Sequence, residues 1–349
     1  MDETEKLVWP SHDLKFLAVR ILDASYWEKC VVKASAIQDV VSAFTYNMER
    51  ISAMLTMPGY AALAGERWQL AVQSAIRRIF GMELPTTEQL KERQSEIAVK
   101  ANELMQKMMA ELLESSDDNI KGQFDRADSN FNEFYQKIPP MGAKGVEALL
   151  FSAMIQAWTT FESLGTDLWV QALNTRPIPL AVSAINNQLS KDESGAPDSV
   201  QGKNPKLEFI QGLLEEDHET IREAGAVVKR TKKFDFSRLR GIRAAYRCAF
   251  GADAESLFKT PPFDDLDVLE GIRNVIVHRA GIVDSSYRKR VSDGTEKYKK
   301  HNLHTLSLGS RIPINGEITK AMIDSMTKSS GLLFEFVDKW FSDHPTAQV

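Results

Sequence analysis

The stretch that decides the fold is ALLFSAMIQAWTTFESLGTDLWVQALN, residues 148–174. It is mostly apolar and aromatic over about seven helical turns, and it contains no proline. A helix that is apolar on almost every side must be surrounded by other elements. We therefore expect an all-α fold, in which this segment is the central helix of an antiparallel bundle. Glu162, in its middle, needs a partner if it is buried.

Apolar residues at helical spacing predict further helices before this segment. The pattern covers 25–57 and then 60–80, with a break at Pro58-Gly59 and a stop at Gly81. A long helical segment follows over 88–137, either as two helices or as one broken helix, with a polar interruption at 115–118. Thr86 and Gln89 have the spacing of a capping box, which would begin that segment.

The chain after residue 174 is predicted to contain four more helices and one hairpin. The helices cover 206–226, 237–250, 265–280 and 317–343. Asp264 or Asp265 can cap the third of them, and Gly281 suits its carboxyl end. The segment NLHTLSLGSRIPING, residues 302–316, alternates in polarity and is rich in turn residues. It predicts a short β-hairpin that turns at Gly309-Ser310.

The best linker in the chain is Pro139-Pro140-Met141-Gly142, together with Gly145. We place a domain boundary there, between a helical N-terminal domain (1–145) of unknown role and a helical bundle domain (146–349). The N-terminal domain could be a coiled-coil-like partner surface or a bundle with its own core. Both interpretations stay open at this stage.

Composition is that of a globular protein, with 349 residues, 43% hydrophobic and 26% charged. No apolar run is long enough to cross a membrane, and the start of the chain, MDETEKLVWP, lacks a signal pattern, so we expect a cytoplasmic protein without membrane contact. Cys30 and Cys248 form no CxxC pair, and we expect reduced thiols and no structural metal. Because P-loop, GxGxxG and GxSxG motifs are also missing, we expect no cofactor.

The net charge of −5 says nothing of nucleic acid, but one segment is strongly basic. Residues 229–247 hold eight lysines and arginines against one acid, Asp235, a net of +7. Such a segment attracts polyanions, although a solvated helix face gives the same pattern. The RNA-binding candidates are Lys229, Arg230, Lys232, Lys233, Arg238, Arg240, Arg243 and Arg247. Duplex DNA is a further alternative for this segment.

The predicted helix over 265–280 carries polar residues within an otherwise apolar pattern, in EGIRNVIVHRAGIVD, residues 270–284. Glu270, Asn274 and His278 are four apart and share a face, whereas Arg273 and His278 are separated by about 7.5 Å along the axis. Arginine binds phosphate through two parallel hydrogen bonds, and histidine exchanges protons near neutral pH. The combination suits phosphodiester cleavage without a metal. Alternatively, His278 caps the helix and Arg273 pairs with Glu270.

RNVIVH, residues 273–278, matches the R-x4-H motif of the HEPN superfamily, and the match extends through GIVD. The upstream stretches AWTTFESLGTDLW (157–169) and YRCAF (246–250) are also similar to that family. The chain therefore resembles HEPN proteins over roughly 146–343. Residues 1–145 have no such resemblance.

The resemblance implies an antiparallel helical bundle that forms homodimers through its motif helices. It further implies a metal-independent endoribonuclease of a prokaryotic antiviral defence or toxin system. Arg273 and His278 match the motif's catalytic positions, and Asn274 matches its polar position. Glu162 resembles the acid of the first helix, and Glu270 is a second candidate for a supporting acid. The 2′-OH of RNA would attack the adjacent phosphate, with His278 as general acid or base and Arg273 stabilising the developing charge.

A second function from another class stays open. The bundle could be a non-catalytic HEPN module that dimerises, or that binds a nucleotide or a protein partner. In either case residues 1–145 could bind a regulatory protein. The expected partners are thus RNA, a second copy of the chain and a regulatory protein.

Overall fold

The computed structural model describes residues 34–114, 122–123, 126, 140–192, 223–231 and 234–345. Within these ranges the regular secondary structure is helical, apart from one isolated antiparallel bridge between Ile282 and Arg311. The all-α fold class is therefore confirmed. None of the helices in these ranges is both long and apolar enough to cross a membrane.

Twelve α-helices lie in the described residues. A short 3-10 turn, Ser35–Ile37, precedes the first, and a π-helical segment, Pro177–Ala181, joins the fourth to the fifth. The helices are α1 (Gln38–Phe80), α2 (Thr87–Glu92), α3 (Gln94–Leu113), α4 (Pro140–Thr175), α5 (Val182–Asp192), α6 (Ala224–Thr231), α7 (Leu239–Phe250), α8 (Ala252–Leu257), α9 (Pro262–Arg279), α10 (Ser285–Asp293), α11 (Thr295–Lys299) and α12 (Gly316–Asp343).

The chain divides into two compact units, and it passes from one to the other inside α1, between Ser52 and Ala53, and again inside α4, between Leu150 and Phe151. The second unit also includes the described residues 34–52. The predicted linker does not interrupt the chain, because α4 already begins at Pro140. Proline is favourable in the first turn of a helix, where its missing N–H would have no partner anyway. The division into domains 1–145 and 146–349 stays a prediction.

The prediction that Pro58-Gly59 ends a helix is wrong, because α1 runs through both residues. A proline inside a helix costs about 3 kcal/mol, through a lost hydrogen bond and a steric clash. Leu55 and Leu63, on either side of the break, are both buried. Packing on both sides of Pro58 outweighs the local preference of proline to stop a helix.

The first unit has its core between α1 and α3. Ala71 and Ala75 of α1 pack with Ile97, Ala101 and Leu104 of α3. The predicted capping box is present: Thr86 accepts from the Gln89 backbone, and the Gln89 side chain accepts from the Thr86 backbone. The helical segment after it is broken at Arg93, which was not predicted, whereas the predicted interruption at 115–118 lies outside the described residues.

The second unit is built around α4. Trp158, Phe161 and Trp169 are fully buried, as expected for a helix that is apolar on almost all sides. The Trp169 indole donates a hydrogen bond to the Ala245 carbonyl on α7, and Tyr246 donates to the Gly165 carbonyl on α4. These two bonds join α4 and α7 side by side.

The motif helix α9 begins differently from the prediction. Asp264 and Asp265 do not cap it, because the helix already starts at Pro262, and Pro261 at the N-cap makes no side-chain bond. The two aspartates lie in the first turn instead, where negative charge is favourable to the helix dipole. At the other end Ala280 adopts the left-handed conformation (φ 49°) ahead of Gly281 (φ 84°).

The predicted hairpin over 302–316 is not confirmed. These residues pair instead with the segment that follows α9: Val283 donates to the Ser310 carbonyl, and Ile312 donates to the Gly281 carbonyl. The predicted turn does form, with Gly309 in a left-handed conformation (φ 80°). The alternation in this segment thus reflects the burial of Leu303, Ile312 and Ile314, and not a self-paired ladder. The predicted helix over 206–226 lies almost entirely outside the described residues.

Candidate functional site

The apolar residues of α9 anchor it in the second unit. Ile272, Val275 and Ile276 are buried. The polar residues between them form a gradient of exposure, since Arg273 and Asn274 are half-buried and His278 is exposed. The motif therefore starts near the core and ends at the surface.

Arg273 is held in place by its neighbour and by burial. Its Nη1 donates to the Asn274 Oδ1 atom at 3.0 Å. Its Nε atom is buried and has no hydrogen-bond partner. Nη2 makes no hydrogen bond to any described residue and keeps some access to solvent. Asn274 thus orients a guanidinium that has unused donors.

The charge of Arg273 acts on Glu162 of α4, so these two residues, which the resemblance assigned to one site, lie within electrostatic range of each other. Burial raises the pKa of the Glu162 carboxyl above its ordinary value, and the Arg273 guanidinium lowers it by less. The Trp158 indole makes no hydrogen bond of ordinary geometry, but it also favours the ionised carboxyl. No direct ion pair joins Glu162 to Arg273. The site therefore holds an acid that resists ionisation beside a fixed cation.

Lys229 is the member of the basic segment whose charge acts on Glu162. Its charge also lowers the pKa of Glu162, whereas Asp235 raises it. The Lys229 ammonium lies 5.5 Å from the centre of the Phe236 ring, which favours a cation over its face. Two cations and two acids thus lie around the amino half of the R-x4-H motif.

His278 lies in the last turn of α9, beside Arg279. Positive charge at this end is favourable to the helix dipole. His278 makes no hydrogen bond to any described residue, whereas Arg279 pairs with Asp284 at 3.3 Å. Nothing within the described part of one protomer fixes the orientation of the imidazole.

Glu270 shares a helix face with Asn274 and His278, but the structure places it in a different cluster. It is buried, and its carboxylate binds the Arg290 guanidinium at 2.9–3.0 Å. It also accepts a hydrogen bond from the Leu239 backbone, at the first turn of α7. Glu270 thus joins α9, α10 and α7. The alternative interpretation of the sequence, in which Arg273 pairs with Glu270, is therefore wrong.

The GIVD extension of the motif has a structural explanation at each residue. A side chain at Gly281 would lie 2.9 Å from the Phe151 ring, and its φ of 84° also favours glycine. Ile282 bridges to Arg311, and Val283 is buried. Asp284 caps α10 by accepting from the Tyr287 backbone at 2.8 Å. These residues determine the backbone path after α9, and they do not belong to the polar face formed by Arg273, Asn274 and His278.

The described members of the basic segment lie on α6, on α7 and at Arg238, directly before α7. Arg240, Arg243 and Arg247 share a face of α7 and line a groove of about 410 Å³. Arg230 and Arg238 are exposed elsewhere on α6 and at the start of α7. Lys232 and Lys233 lie outside the described residues.

Sequence reasoning missed the cluster around Asp265. This buried carboxylate accepts from His301 Nε2 at 2.9 Å, from Lys300 at 2.7 Å and from Ser325 at 2.7 Å. Burial favours its neutral form, but these donors outweigh burial and hold its pKa at about 2. Because the donors come from distant parts of the sequence, no local pattern could have revealed the cluster. His301 is engaged by this carboxylate. Among the described residues, no three histidine, cysteine, aspartate or glutamate side chains are grouped so that they could hold a metal ion.

Comparisons with known proteins were made at three levels. No protein-family model, no curated protein and no solved structure matches the chain. The resemblance to the HEPN superfamily therefore rests on the residues quoted from the sequence: 157–169, 246–250 and 273–284.

Proposed function

We propose that the protein is a metal-independent endoribonuclease of the HEPN type. The observation that carries the proposal is the Arg273 guanidinium, which Asn274 orients within electrostatic range of Glu162, on the same helix as an exposed His278. Arginine and histidine are the groups that phosphodiester cleavage needs when no metal takes part. The resemblance of 273–284 to the family supports the same chemistry.

The proposed reaction is an internal transesterification. The 2′-oxygen forms a bond to the adjacent phosphorus, and the bond to the 5′-oxygen of the next nucleotide breaks. A histidine takes the 2′-OH proton, and a general acid gives a proton to the departing 5′-oxygen. The accessible Nη2 of Arg273 donates to a non-bridging phosphate oxygen as charge builds on it. The products are a 2′,3′-cyclic phosphate and a 5′-OH end.

One His278 cannot be base and acid at the same moment, so the reaction calls for a second proton-transfer group. We infer that a second protomer brings its own α9 to the first and supplies that group. Two exposed apolar side chains next to the motif's carboxyl end support a contact there: Val277 is 46% exposed and Ile282 is 38% exposed. The homodimer would also fix the imidazole, which makes no hydrogen bond to the residues that the structure describes.

The remaining parts of the proposal rest on the resemblance. RNA would be the substrate, in the cytoplasm, within an antiviral defence or toxin system. Residues 1–145 would bind a regulatory protein that controls the nuclease. Lys229 would add a phosphate contact beside Arg273, because it lies close enough to act on the same carboxyl.

The test is incubation with total RNA in EDTA. We expect cleavage with the unchanged protein, and at least a hundredfold loss in both Arg273→Ala and His278→Ala, since each removes a group that acts in the transition state (about 10²–10⁴-fold for a proton-transfer group). Arg288→Ala and His344→Ala are matched controls, because both residues are exposed and lie outside the motif. If all five proteins cleaved RNA equally, the cleavage would come from a contaminating nuclease, and the proposal would be contradicted.

The second candidate function is a non-catalytic HEPN module that binds a nucleotide or a protein partner. The observation that favours it is that His278 has no hydrogen-bond partner in the described part of the chain, because a general base is normally oriented by a further group. This module would dimerise through α9 but leave RNA intact. Dimers without cleavage, in the unchanged protein and in both motif variants alike, would support it against the nuclease.

A further inference from the structure

A second polar concavity lies on α7 and α8, apart from the residues of the motif. Arg240, Arg243 and Arg247 are three and four residues apart and therefore share one face of α7. They span about 10.5 Å of the helix axis. Glu255 of α8, with Phe258 and Lys259 just after it, forms the opposite wall, and Ala244 completes the lining. The groove has a volume of about 410 Å³.

Charge in this groove is strongly unbalanced. Four cations line it against one acid, Glu255, and that acid already lies 3.4 Å from Lys259. Neither Arg240 nor Arg247 pairs with an acid among the residues that the structure describes. Like charges three or four residues apart on a helix repel one another. The groove therefore has an excess of positive charge that an anion would relieve.

Arg243 lies deeper in the groove than its neighbours. Its Nε is buried without a hydrogen-bond partner, and its Nη2 makes only a long bond of 3.4 Å to the Phe263 carbonyl. Burial lowers its pKa, while Asp267 and Asp264 of α9 act on it in the opposite direction. A half-buried guanidinium with unmet donors favours an oxygen-rich anion, whose oxygens can accept from several N–H groups at once.

We propose that this groove is a binding site for a small ligand that carries at least two adjacent phosphate groups. Three guanidinium groups on one helix face can each bind phosphate oxygens in pairs, and Lys259 faces them from the other wall. The site goes beyond the proposed nuclease, since it uses none of Glu162, Arg273, Asn274 or His278.

The shape of the groove favours a compact ligand over the backbone of a long RNA. Its volume lies in the range of small-molecule sites, about 300–1,000 Å³. Phe258 and Ala244 give the groove an apolar wall. A site that binds only the phosphates of an RNA strand does not need such a wall. The same phosphate chemistry could belong to an inorganic phosphate chain or to a nucleotide that carries one.

The test is calorimetric titration with tripolyphosphate, ATP and AMP, in about 0.15 M salt to screen exposed charge pairs. The proteins are the unchanged chain, Arg240→Gln/Arg247→Gln, and Arg77→Gln/Arg78→Gln. The last pair loses the same residue types and charge, but it does not line the groove. Melting temperatures of the three proteins without ligand verify that each is folded.

We expect tripolyphosphate and ATP to bind the unchanged protein and the control alike, and the groove variant at least about tenfold more weakly. If ATP binds more tightly than tripolyphosphate, the ligand is a nucleotide whose base or sugar contacts the apolar wall. If the two bind with equal affinity, the phosphate chain alone is recognised. AMP as tight as ATP would overturn the requirement for adjacent phosphates. Equal affinity in all three proteins, or no binding by the unchanged protein, would overturn the site. The proposal of a compact ligand would be contradicted if a ten-nucleotide RNA bound more tightly than tripolyphosphate and if Arg240→Gln/Arg247→Gln weakened its binding by the same factor.

Titration of His278→Ala keeps this proposal separate from the nuclease. If the groove is a distinct site, this variant binds tripolyphosphate as the unchanged protein does, whatever happens to RNA cleavage. Loss of tripolyphosphate binding in His278→Ala would show that the two sites are one, which contradicts the proposal.

Discussion

At the scale of single residues, partners from other helices decide the state of each charged group. Glu162 and Arg273 lie on α4 and α9, and the pKa of Glu162 stays raised because burial outweighs the nearby cations. Asp265 is the opposite case, since three donors outweigh its burial. Two carboxyls on the same scaffold are thus shifted in opposite directions by their environments.

Asp265 is expected to make stability depend on pH in the acid range. Its pKa is about 2 in the folded protein against an ordinary 3.8, so the unfolded chain binds more protons between these values. The stabilisation, about 2 kcal/mol, is fully present above pH 4 and is lost as the pH falls toward 2. Denaturant titrations from pH 2.5 to 7 should show this slope, and Asp265→Asn should flatten it. Asp293→Asn, at an exposed position, is the control, and the same slope in both variants would contradict the assignment.

At the scale of the helix, close backbone contacts position α7. A side chain on Gly241, in the first turn of α7, would lie 1.6 Å from the Asp235 carbonyl oxygen. Gly225 of α6 makes a similar approach to Val170 of α4. These glycines let the helices and the preceding loop meet at backbone distance. The arginine face of α7 depends on the first contact.

Gly241→Ala is therefore expected to destabilise the protein by about 3 kcal/mol, since the backbone must move to admit one methyl group. The contrasting variant is Gly65→Ala in α1, where a side chain would meet nothing within 4 Å. Alanine favours a helix by up to about 1 kcal/mol over glycine, so this variant should be slightly more stable. Denaturant unfolding measures both changes. A Gly241→Ala protein as stable as the unchanged one would show that the contact with Asp235 is not close.

At the scale of the whole molecule, the nuclease proposal depends on a second copy of the chain. His278 is exposed at the end of α9, between the exposed apolar side chains of Val277 and Ile282. The described residues of one chain place one histidine, His278, in the last turn of α9. The composite site exists only if the two α9 ends meet.

Val277→Asp/Ile282→Asp is expected to convert a dimer into a monomer and to abolish RNA cleavage, because four added charges in the dimer would have to be buried against each other. Sedimentation velocity measures the first effect and the RNA assay the second. Leu308→Asp is the control, since Leu308 is 68% exposed and lies outside α9. A monomeric variant that still cleaves RNA would contradict the composite site.

Local patterns sufficed for much of the helical fold. The carboxyl end of α4, the capping box at Thr86 and the span of α12 were predicted close to their observed positions, because each depends on neighbours in sequence. The amino end of α4 was not, since the helix begins at Pro140, inside the predicted linker. The predictions failed at Pro58 and over 302–316. In both places packing against distant residues outweighs the local preference.

The candidate site divides in the same way. The sequence predicted Arg273, Asn274 and His278 on one helix, since their spacing is a property of that helix alone. It could not show that Glu270 belongs to Arg290, or that Lys229 and Arg243 face different sites. Each of these depends on which helix lies beside which.

The sequence by itself determined the helical class, the central helix α4 and the polar residues of the motif helix, because these follow from composition and from spacing within single segments. Only the tertiary structure decided which acid lies beside Arg273, which cations share a groove and where Asp265 finds its donors. The physical reason is that charge pairing and burial depend on distances in space. Residues far apart in the chain come within those distances only when the helices pack.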